Sequence, residues 1–544
     1  MRRFIETPCP KTYDVIIVGG GITGAAVAYE AAARGLAVAL VDKGDFGAAT
    51  SAATSKLIHG GLRYLANAEF GLVRESLQER RILENIAPNL VHPLPFLIPL
   101  YAKDTRRSPW VMEPGMLLYD LLSYDKGFTW DRAKRLPAHR FLTRAQTVAA
   151  EPIIQPAGLL GAIRFYDCAS FAPERLTLAF VKSAVRYGAD AANYARVETF
   201  LHAAGQVAGV VVRDLLHGRT LELRGRLTVN CAGPWADLVL DAARATLGTQ
   251  HIRRSEGIHL VTRRLTRDHC VSGLSPAGQA FNLIPWRGHT LIGTTDREYT
   301  GGPDDYCVTR EKIEALLTDV NAALGADAAL RYADVQFAYG GLRPLVDAQS
   351  RDTRRASRRY EIYDNAADGL PGLITVVGGK YTTSRNLAAN VLKLVLKQRG
   401  QAWTPATTAR TYLAGCEIPD LAAFIAAAQA SYPDFSPRTV VYLAQLYGTE
   451  LSQVMDLARG DPATAVALNA EGEMPAQVLY AIRQEMARTL PDLLFRRTGL
   501  GTLGHPGVQP LELIAQTAAR ELNWSQARLD HELETAARAL SVPA

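Results

Sequence analysis

Apolar residues near the amino terminus change from a continuous run to a helix-forming stretch across a group of glycines. Residues 15–18 read VIIV, the pattern of a strand buried on both faces, and the alanine-rich stretch at 25–33 is composed of strong helix formers. A second apolar run follows and ends at Asp42. This order predicts a strand, a glycine turn, a helix and a second strand.

The glycine turn carries the spacing Gly-x-Gly-x-x-Gly at Gly19, Gly21 and Gly24. Small residues at such a turn let a pyrophosphate approach the backbone and the first amides of the helix, and Asp42 could accept hydrogen bonds from a ribose. The alternative is a tight turn that only packs the helix on the strand. The flanking strand, helix and acidic residue favour dinucleotide binding and leave NAD and FAD open.

A second strand, glycine turn and helix are predicted at residues 373–398, which read LITVVGGKYTTSRNLAANVLKLVLKQ. The amino terminus of a helix favours negative charge, and Lys380 adds a positive charge beside it. This turn could hold a phosphate or an anionic reduced flavin. Because the first turn would already hold the pyrophosphate, the pair of turns favours FAD over NAD.

The carboxyl-terminal part of the chain has a different pattern. After Gln401 a linker rich in threonine and proline is followed by alanine- and leucine-rich segments at helical spacing, such as those at 421–432 and 476–490. These segments predict a C-terminal helical domain.

Composition and charge limit the function classes. The chain has 544 residues, of which 48% are hydrophobic and 21% charged, so we expect a globular protein of two or three domains. A net charge of +6 favours anionic partners, but no Lys/Arg block indicates nucleic acid. Six cysteines without metal-ligand or disulfide-type spacing favour a reducing cytoplasm and no metal site. We expect no membrane-spanning helix and no export signal, because no apolar stretch is long enough.

Residues 54–65, TSKLIHGGLRYL, combine three basic side chains with a glycine pair. Lys56, His59 and Arg63 are spaced three and four residues apart, while Gly60 and Gly61 would interrupt a helix and allow close approach by a ligand. Hydroxyl side chains in and before this segment could cap a helix or bind a pyrophosphate and a flavin edge, namely Thr50, Ser51, Thr54 and Ser55.

The 54–65 segment resembles the signature of FAD-dependent glycerol-3-phosphate dehydrogenases, which are members of the D-amino-acid-oxidase-like flavoprotein superfamily. The resemblance continues in the same order through NCAGPWAD (230–237), IPWRGHTLIGTTD (284–296), GGLRPL (340–345), VVGGKYTTSRNLA (376–388) and YAIRQEMARTLPDLLFRRTGLG (480–501). The chain departs from the family at Glu256, where a lysine is usual, and at Cys416, where a second glycine is usual.

The resemblance implies oxidation of sn-glycerol 3-phosphate to dihydroxyacetone phosphate, with hydride transfer from C2 to flavin N5 and electrons passed to a membrane quinone. Alternatives are an oxidase that uses oxygen, a related flavin enzyme for amino acids or 2-hydroxy acids, and a non-catalytic nucleotide-binding scaffold. The implied partners also include the membrane surface and a second copy of the chain in a homodimer, and they exclude nucleic acid.

The patterns and the resemblance together nominate the site residues. Catalytic roles are implied for His259, His59, Arg343 and Lys380. Substrate contacts are implied for Arg63, Tyr64, Arg343, Lys380 and Arg358. Cofactor contacts are expected from Gly19, Gly21, Gly24, Asp42, Thr50, Ser51, Ser55, Lys56, Leu57, Ala232, Gly233, Lys380 and Thr382. Either histidine could be the base. His259 lies in an apolar run, so it could also be a core histidine.

The implied fold is α/β (α+β), with a Rossmann-like FAD-binding domain, an inserted strand-rich substrate domain and a C-terminal α-helical domain. We expect the FAD-binding domain at 12–95, 165–235 and 335–400, the substrate domain at 96–164 and 236–334, and the helical domain at 405–544. Residues 108–124 place apolar side chains between Arg106, Arg107 and Lys126. They are either a core segment or a contact with the inner face of the cell membrane.

Overall fold

The computed structural model describes residues 1–7, 11–104, 107–244, 252–324, 328–346 and 360–543. Its strands are β1 (Thr12–Val18), β2 (Val38–Val41), β3 (Leu57–Ile58), β4 (Val91–Tyr101), β5 (Arg140–Thr143), β6 (Leu159–Ser170), β7 (Asp190–Ala192), β8 (Ala195–Ala203), β9 (Gln206–Asp214), β10 (Thr220–Asn230), β11 (Arg253–Thr262), β12 (Cys270–Leu274), β13 (Ala280–Trp286), β14 (His289–Gly293), β15 (Arg297–Tyr299), β16 (Val335–Leu345), β17 (Tyr360–Asp364) and β18 (Leu373–Gly378).

The α-helices are α1 (Ile22–Ala32), α2 (Phe70–Ile86), α3 (Pro109–Leu122), α4 (Arg144–Ala150), α5 (Pro173–Arg186), α6 (Ala236–Ala243), α7 (Arg310–Asn321), α8 (Ser384–Gln398), α9 (Leu421–Ser431), α10 (Pro437–Tyr447), α11 (Leu451–Gly460), α12 (Ala476–Glu485), α13 (Leu490–Asp492), α14 (Val508–Leu522) and α15 (Gln526–Leu540).

The first sheet contains a parallel core in the order β18, β10, β1, β2, β7, with β17 antiparallel at one edge. Five of the seven β1 positions are buried, Tyr13 and the run from Val15 to Val18, as expected for a strand covered on both faces. Helix α1 packs against both α5 and α8 beside this sheet. The carboxyl ends of β1, β2, β10 and β18 therefore lie along one edge.

The second sheet runs β16, β11, β14, β13, β12, β4, β6, β3, with β15 and β5 pairing at β11 and β6. The predicted boundaries at residues 95 and 165 fall inside β4 and β6. β16 was expected in the FAD-binding domain, but it pairs along its length with β11, from Arg253↔Leu345 to Thr262↔Val335. The sheets therefore divide the chain differently from the predicted segments, because the two long strand pairs cross those boundaries.

The C-terminal helices α9 to α15 form apolar clusters of their own. Buried ion pairs join them to the rest of the molecule, including Arg497 with Asp45 at 2.7 Å and Arg175 with Glu485 at 2.6 Å. The predicted order of β1, α1 and β2, the helix after residue 383 and the C-terminal helical domain are all confirmed. Among the described residues, none of the helices combines the length and apolar character needed to cross a bilayer.

Candidate active site

The first glycine turn, residues 19–24, joins β1 to α1 at the carboxyl edge of the first sheet. Gly19 has a φ of +105°, and a Cβ on Gly24 would lie 1.8 Å from the Gly19 carbonyl oxygen. Beside Gly21, a Cβ would meet only Ser51 Oγ, at 3.2 Å. Gly19 and Gly24 therefore serve the turn itself, whereas the space beside Gly21 is open for the close approach that a pyrophosphate needs.

Asp42 follows β2 at the same edge. Its carboxylate accepts hydrogen bonds from the backbone amides of Gly20 at 2.5 Å and Gly44 at 2.7 Å. Burial raises the pKa of this carboxyl to about 6, although both amides favour the charged form. Asp42 therefore ties the first glycine turn to the end of β2, and its oxygens keep further lone pairs for a ribose hydroxyl.

Ala232 and Gly233 follow β10, which pairs with β1 through Asn230 and Val18. The Asn230 side chain accepts from the Ala232 amide at 3.2 Å and donates to the Ala236 carbonyl at 2.8 Å. Gly233 has a φ of +55° and open space where a Cβ would be. This loop therefore lies beside the first glycine turn, as expected of a cofactor contact.

The second glycine turn, residues 378–382, joins β18 to α8. Gly378 and Gly379 have φ values of +78° and +96°. Lys380 Nζ donates to Ser76 Oγ at 3.2 Å and lies 3.8 Å from the centroid of the Tyr64 ring. Thr382 Oγ1 accepts a long hydrogen bond, 3.4 Å, from the His59 amide. The turn therefore meets the 54–65 segment, which the sequence alone did not reveal.

Residues 50–58 carry hydroxyls that contact the start of α1 and the strands of the second sheet. Thr50 Oγ1 donates to the Leu342 carbonyl at 2.6 Å, and Ser51 Oγ accepts from the Ile22 amide at 2.9 Å. Ser55 Oγ lies 2.8 Å from His259 Nε2. Leu57 is buried in β3. The segment thus connects the first glycine turn to the strands that carry the candidate catalytic groups.

The side chain of Lys56 is directed elsewhere than expected. Its ammonium group is buried in an ion pair with Glu174, and it lies 5.0 Å from the Trp286 ring centroid and 5.4 Å from that of Tyr339. A cavity of about 350 Å³ adjoins this pair and is lined by no described residue of either glycine turn. A cofactor contact by Lys56 would therefore come from its backbone, because Glu174 holds the charge.

His259 lies on β11 with 1% of its surface exposed. Its ring stacks on Tyr339, with centroids 5.0 Å apart, and Tyr339 is anchored by its hydroxyl to the Thr54 carbonyl at 2.8 Å. Nε2 faces Ser55, whereas the buried Nδ1 has no hydrogen-bond partner among the described residues. Burial, with added repulsion from Arg343 and Lys56, lowers the pKa of His259 well below its usual value. The ring is therefore neutral and has one unsatisfied nitrogen.

The ring nitrogens of His59 have different hydrogen-bond partners from those of His259. Its Nδ1 accepts a hydrogen bond from the Gly61 amide at 3.1 Å, which places the proton of the neutral ring on Nε2. Burial lowers the pKa of His59 to about 4, and Lys380, Arg63 and Arg80 act in the same direction. His59 is therefore also neutral, but the nitrogen that could accept a proton already has a partner.

Cationic groups gather around the histidines. Arg343 donates to Thr294 Oγ1 at 2.7 Å and lies 3.7 Å from Asp296, which also acts electrostatically on Arg63. Arg63 is exposed and lies next to Tyr64, whose hydroxyl accepts from it at 3.3 Å. Arg358 falls outside the described residues.

Glu256, where the chain departs from the family, lies on β11 three positions before His259. Its carboxylate pairs with Lys312 of α7 at 2.7 Å. A cation is therefore present beside Glu256, and it offsets the charge that this substitution introduces.

Several residues of the site were not among those nominated. Tyr339 lies opposite His259 in the register of β11 and β16, which the sequence alone does not show. Asp296, Glu174 and a buried carboxylate, Asp167, carry no local sequence signal, since their partners are far away along the chain. No group of three metal-ligating side chains occurs within the part of the chain that the structure describes.

Comparisons with known proteins agree along nearly the whole chain. A family model described as FAD dependent oxidoreductase matches residues 14–385, and one described as C-terminal domain of alpha-glycerophosphate oxidase matches 406–529. Glycerol-3-phosphate dehydrogenase 2 of Mycobacterium tuberculosis is 35% identical, over 96% of this chain and 87% of its own. The glycerol-3-phosphate dehydrogenase of Synechocystis sp. is 33% identical, over 98% and 97%.

Among solved structures, the glycerol-3-phosphate dehydrogenase from Bacillus halodurans complexed with FAD has a TM-score of 0.78 at 27% identity. The match covers 97% of this chain and 95% of that chain. The open space beside Gly21, the two glycine turns on one edge and the unsatisfied nitrogen of His259 fit a bound FAD and its substrate. FAD as the cofactor and the α/β fold are thereby confirmed. The chain belongs to the FAD-dependent glycerol-3-phosphate dehydrogenases, within the FAD dependent oxidoreductase family.

Proposed function

We propose that this chain oxidises sn-glycerol 3-phosphate to dihydroxyacetone phosphate and that His259 accepts the proton of the C2 hydroxyl. The observation that carries the proposal is the buried, neutral His259, whose Nδ1 has no partner among the described residues and whose ring lies near Arg343. The relatives named glycerol-3-phosphate dehydrogenase support the substrate. When FAD is bound, its N5 supplies the acceptor for the hydride from C2.

The hydrogen bonds favour His259 over His59 as the base. A base needs a free lone pair, and Nδ1 of His59 already accepts from the Gly61 amide. His259 has a low pKa because burial and nearby cations oppose its charged form. A phosphate dianion bound beside Arg343 would offset that repulsion and raise the pKa of His259, which makes proton transfer easier.

The cations suit a phosphate dianion better than a single carboxylate. Arg343 offers a planar guanidinium for paired hydrogen bonds, and Lys380 offers a compact charge near Tyr64. Arg63, which is exposed, adds a second guanidinium in the electrostatic range of Asp296. We therefore place the phosphate among Arg343, Lys380 and Arg63, with the C2 hydroxyl toward His259.

Anaerobic bleaching tests the substrate directly. We expect the yellow colour of the flavin to be lost on addition of sn-glycerol 3-phosphate, and far more slowly with plain glycerol. Bleaching by an amino acid or a 2-hydroxy acid instead would refute the substrate, and no bleaching by any of them would favour the non-catalytic alternative.

We propose a quinone as the electron acceptor, since the relatives are named dehydrogenases. Reoxidation of the bleached enzyme can be followed with air-saturated buffer and, separately, with a soluble quinone. Faster reoxidation by the quinone is expected. Faster reoxidation by oxygen would instead assign the chain to oxidases.

Contact with the membrane surface is proposed through α3. Trp110, Leu117 and Leu121 are 90%, 62% and 68% exposed, whereas Met116 and Tyr119 on the other side of the helix are buried. An apolar face of this kind lies in the interface of a bilayer at low cost. Flotation with vesicles of anionic lipid should be lost when the three exposed residues become serine.

Val466 and Val508 provide a matched control for this test, because they are 51% and 66% exposed in the C-terminal part. Their change to serine should leave flotation intact. Flotation that survives the α3 substitutions would place the membrane contact elsewhere. The cytoplasmic, peripheral location and the homodimer remain proposals, and light scattering tests the latter.

The division into a discontinuous FAD-binding part, a substrate part and a helical part also remains a proposal. The two sheets support its general form, with the second sheet extended to include β3, β4, β6 and β16. Limited proteolysis with and without FAD would test the boundaries.

A further inference from the structure

A buried carboxylate, Asp167, lies behind the glycine pair of the 54–65 segment. It is 2% exposed on β6, and one oxygen accepts from the Gly60 amide at 3.3 Å. The other oxygen accepts from the Tyr119 hydroxyl at 2.7 Å. Arg80 forms a buried ion pair with the same carboxylate. Asp167 is therefore bonded to α2 through Arg80, to α3 through Tyr119 and to the backbone next to His59 through Gly60.

The two helices hold this carboxylate from different directions. Arg80, on α2, also donates to Ser123 Oγ at the end of α3, at 2.9 Å. Tyr119, on the buried side of α3, packs its ring edge-on against Phe165 of β6, with centroids 5.9 Å apart. Because every one of these groups is buried, the carboxylate has little freedom to move and can serve as a fixed acceptor.

The Gly60 amide is the point where this arrangement reaches the site. A Cβ on Gly60 would lie 2.3 Å from the Tyr119 hydroxyl and 2.3 Å from Leu77, so the backbone passes directly over Tyr119. His59 precedes Gly60, and Gly61 donates to the His59 ring. The negative charge of Asp167 also opposes the lowering of the His59 pKa by burial. Asp167 thus acts on the turn 59–61 in two ways, through the Gly60 amide and through its charge near His59.

The same turn bears on the cations proposed to hold the phosphate. A Cβ on Gly61 would contact the Tyr64 ring at 2.4 Å and Lys380 Nζ at 3.6 Å. Tyr64 in turn lies under Lys380 and beside Arg63. A shift of the turn would therefore move the ring against which both cations are placed.

We propose that Asp167, held by Arg80 and Tyr119, is a positioning residue that fixes the turn 59–61 and thereby the Tyr64, Lys380 and Arg63 group that receives the anionic end of the substrate. The proposal deepens the proposed function and rests on it for the identity of the substrate. The competing view is that Asp167 and Arg80 are only a structural ion pair among α2, α3 and β6.

Binding of inorganic phosphate, measured from the change in the flavin absorbance spectrum, tests the proposal without turnover. Tyr119→Phe removes one hydrogen bond from the carboxylate and should weaken phosphate binding about threefold. Asp167→Asn leaves an acceptor for Gly60 but loses the charge, and should weaken it roughly tenfold. In both variants KM for glycerol 3-phosphate should rise in parallel, while FAD content stays normal.

Asp167→Asn leaves Arg80 buried without its charge partner and could unfold. The double variant Arg80→Gln with Asp167→Asn removes both charges and keeps hydrogen-bonding groups, and it should show the same weakening of phosphate binding. A matched control is Glu485→Gln, because Glu485 is also fully buried and pairs with Arg175, in the C-terminal part. It should lower the melting temperature without changing phosphate binding.

Wild-type phosphate affinity in Tyr119→Phe and in the double variant, when both retain FAD, would overturn the positioning role. Equal weakening in Glu485→Gln would do the same, because it would show a general effect of stability. Failure of wild-type bleaching by glycerol 3-phosphate would instead refute the proposed function, and the phosphate measurement would still report whether Asp167 positions the turn.

Discussion

Removal of the Ser55 hydroxyl should lower the rate of proton transfer without loss of the cofactor. Ser55 Oγ lies 2.8 Å from His259 Nε2 and is the partner that the structure gives to this nitrogen. When Nδ1 accepts the substrate proton, the ring becomes a cation, and the hydrogen bond from Nε2 to Ser55 becomes charge-assisted. Ser55→Ala should therefore destabilise the transition state more than it destabilises the resting enzyme.

The expected loss follows from the strength of such a bond. A hydrogen bond to a charged group contributes about 1.5–3 kcal/mol, which corresponds to a decrease of kcat by roughly 10- to 150-fold. KM for glycerol 3-phosphate should change little, because Ser55 contacts His259 and not the cations. The assay is anaerobic single-turnover bleaching of the flavin, which measures the chemical step without the electron acceptor.

His259→Asn provides the second corner of a double-mutant cycle. If Ser55 acts through His259, adding Ser55→Ala to His259→Asn should cost little further rate. Flavin content, measured by absorbance, controls for a direct role of Ser55 in cofactor binding. Additive losses, or an unchanged bleaching rate in Ser55→Ala, would show that this hydroxyl does not orient the base.

Three further predictions concern the cofactor, the phosphate and pH. Gly21→Val should fold, because a Cβ there would meet only Ser51 Oγ, but it should lose FAD, because the side chain would fill the space that the pyrophosphate needs. Gly24→Ala should impair folding, since its Cβ would overlap the Gly19 carbonyl. Flavin content and melting temperature separate the two effects. Arg63→Ala should lower kcat/KM for glycerol 3-phosphate by a factor equivalent to about 2–3 kcal/mol of transition-state stabilisation, and kcat/KM for glycerol far less. Equal losses would assign Arg63 to the flavin. Burial lowers the pKa of His59 from 6.5 to about 4, so the folded state binds fewer protons than the unfolded state in this range, and the free energy of unfolding should fall as the pH drops from about 6.5 to 4. A His59→Gln variant should show a shallower decline in urea titrations, and an unchanged slope would contradict the assignment.

The parts of the site that the sequence predicted are those built from neighbouring residues. A glycine turn, the strand before it and the helix after it are encoded within about 30 residues, so their spacing is visible in the sequence. The two turns at 19–24 and 378–382 were found in this way. Their meeting at one edge follows from the parallel order of β18, β10 and β1, which no spacing in the sequence predicts.

Side-chain direction was less predictable. Lys56 was expected to face the cofactor, but Glu174, 118 positions away, holds its ammonium group. The choice between the two histidines likewise depends on the partners of single nitrogen atoms, which no spacing reveals. Asp167 was missed for the same reason, because its partners lie on α2, on α3 and in the 54–65 segment.

Buried ion pairs join Asp45, in the loop that follows β2, to the C-terminal helical domain. Asp45 is 2% exposed, and Arg497 binds it through two nitrogens, at 2.7 and 2.8 Å, while Arg496 donates at 2.6 Å. A buried carboxylate is costly unless such partners are present, and the pair of guanidinium groups lowers the pKa of Asp45 to about 2. Asp45 lies three residues after Asp42 and five before Thr50, and the side chains of both are held by hydrogen bonds to backbone groups. Arg496 and Arg497 therefore hold the middle of the loop that leads from Asp42 to the hydroxyls of residues 50–55, and a chain that ended before α12 would leave the buried Asp45 carboxylate without these cations.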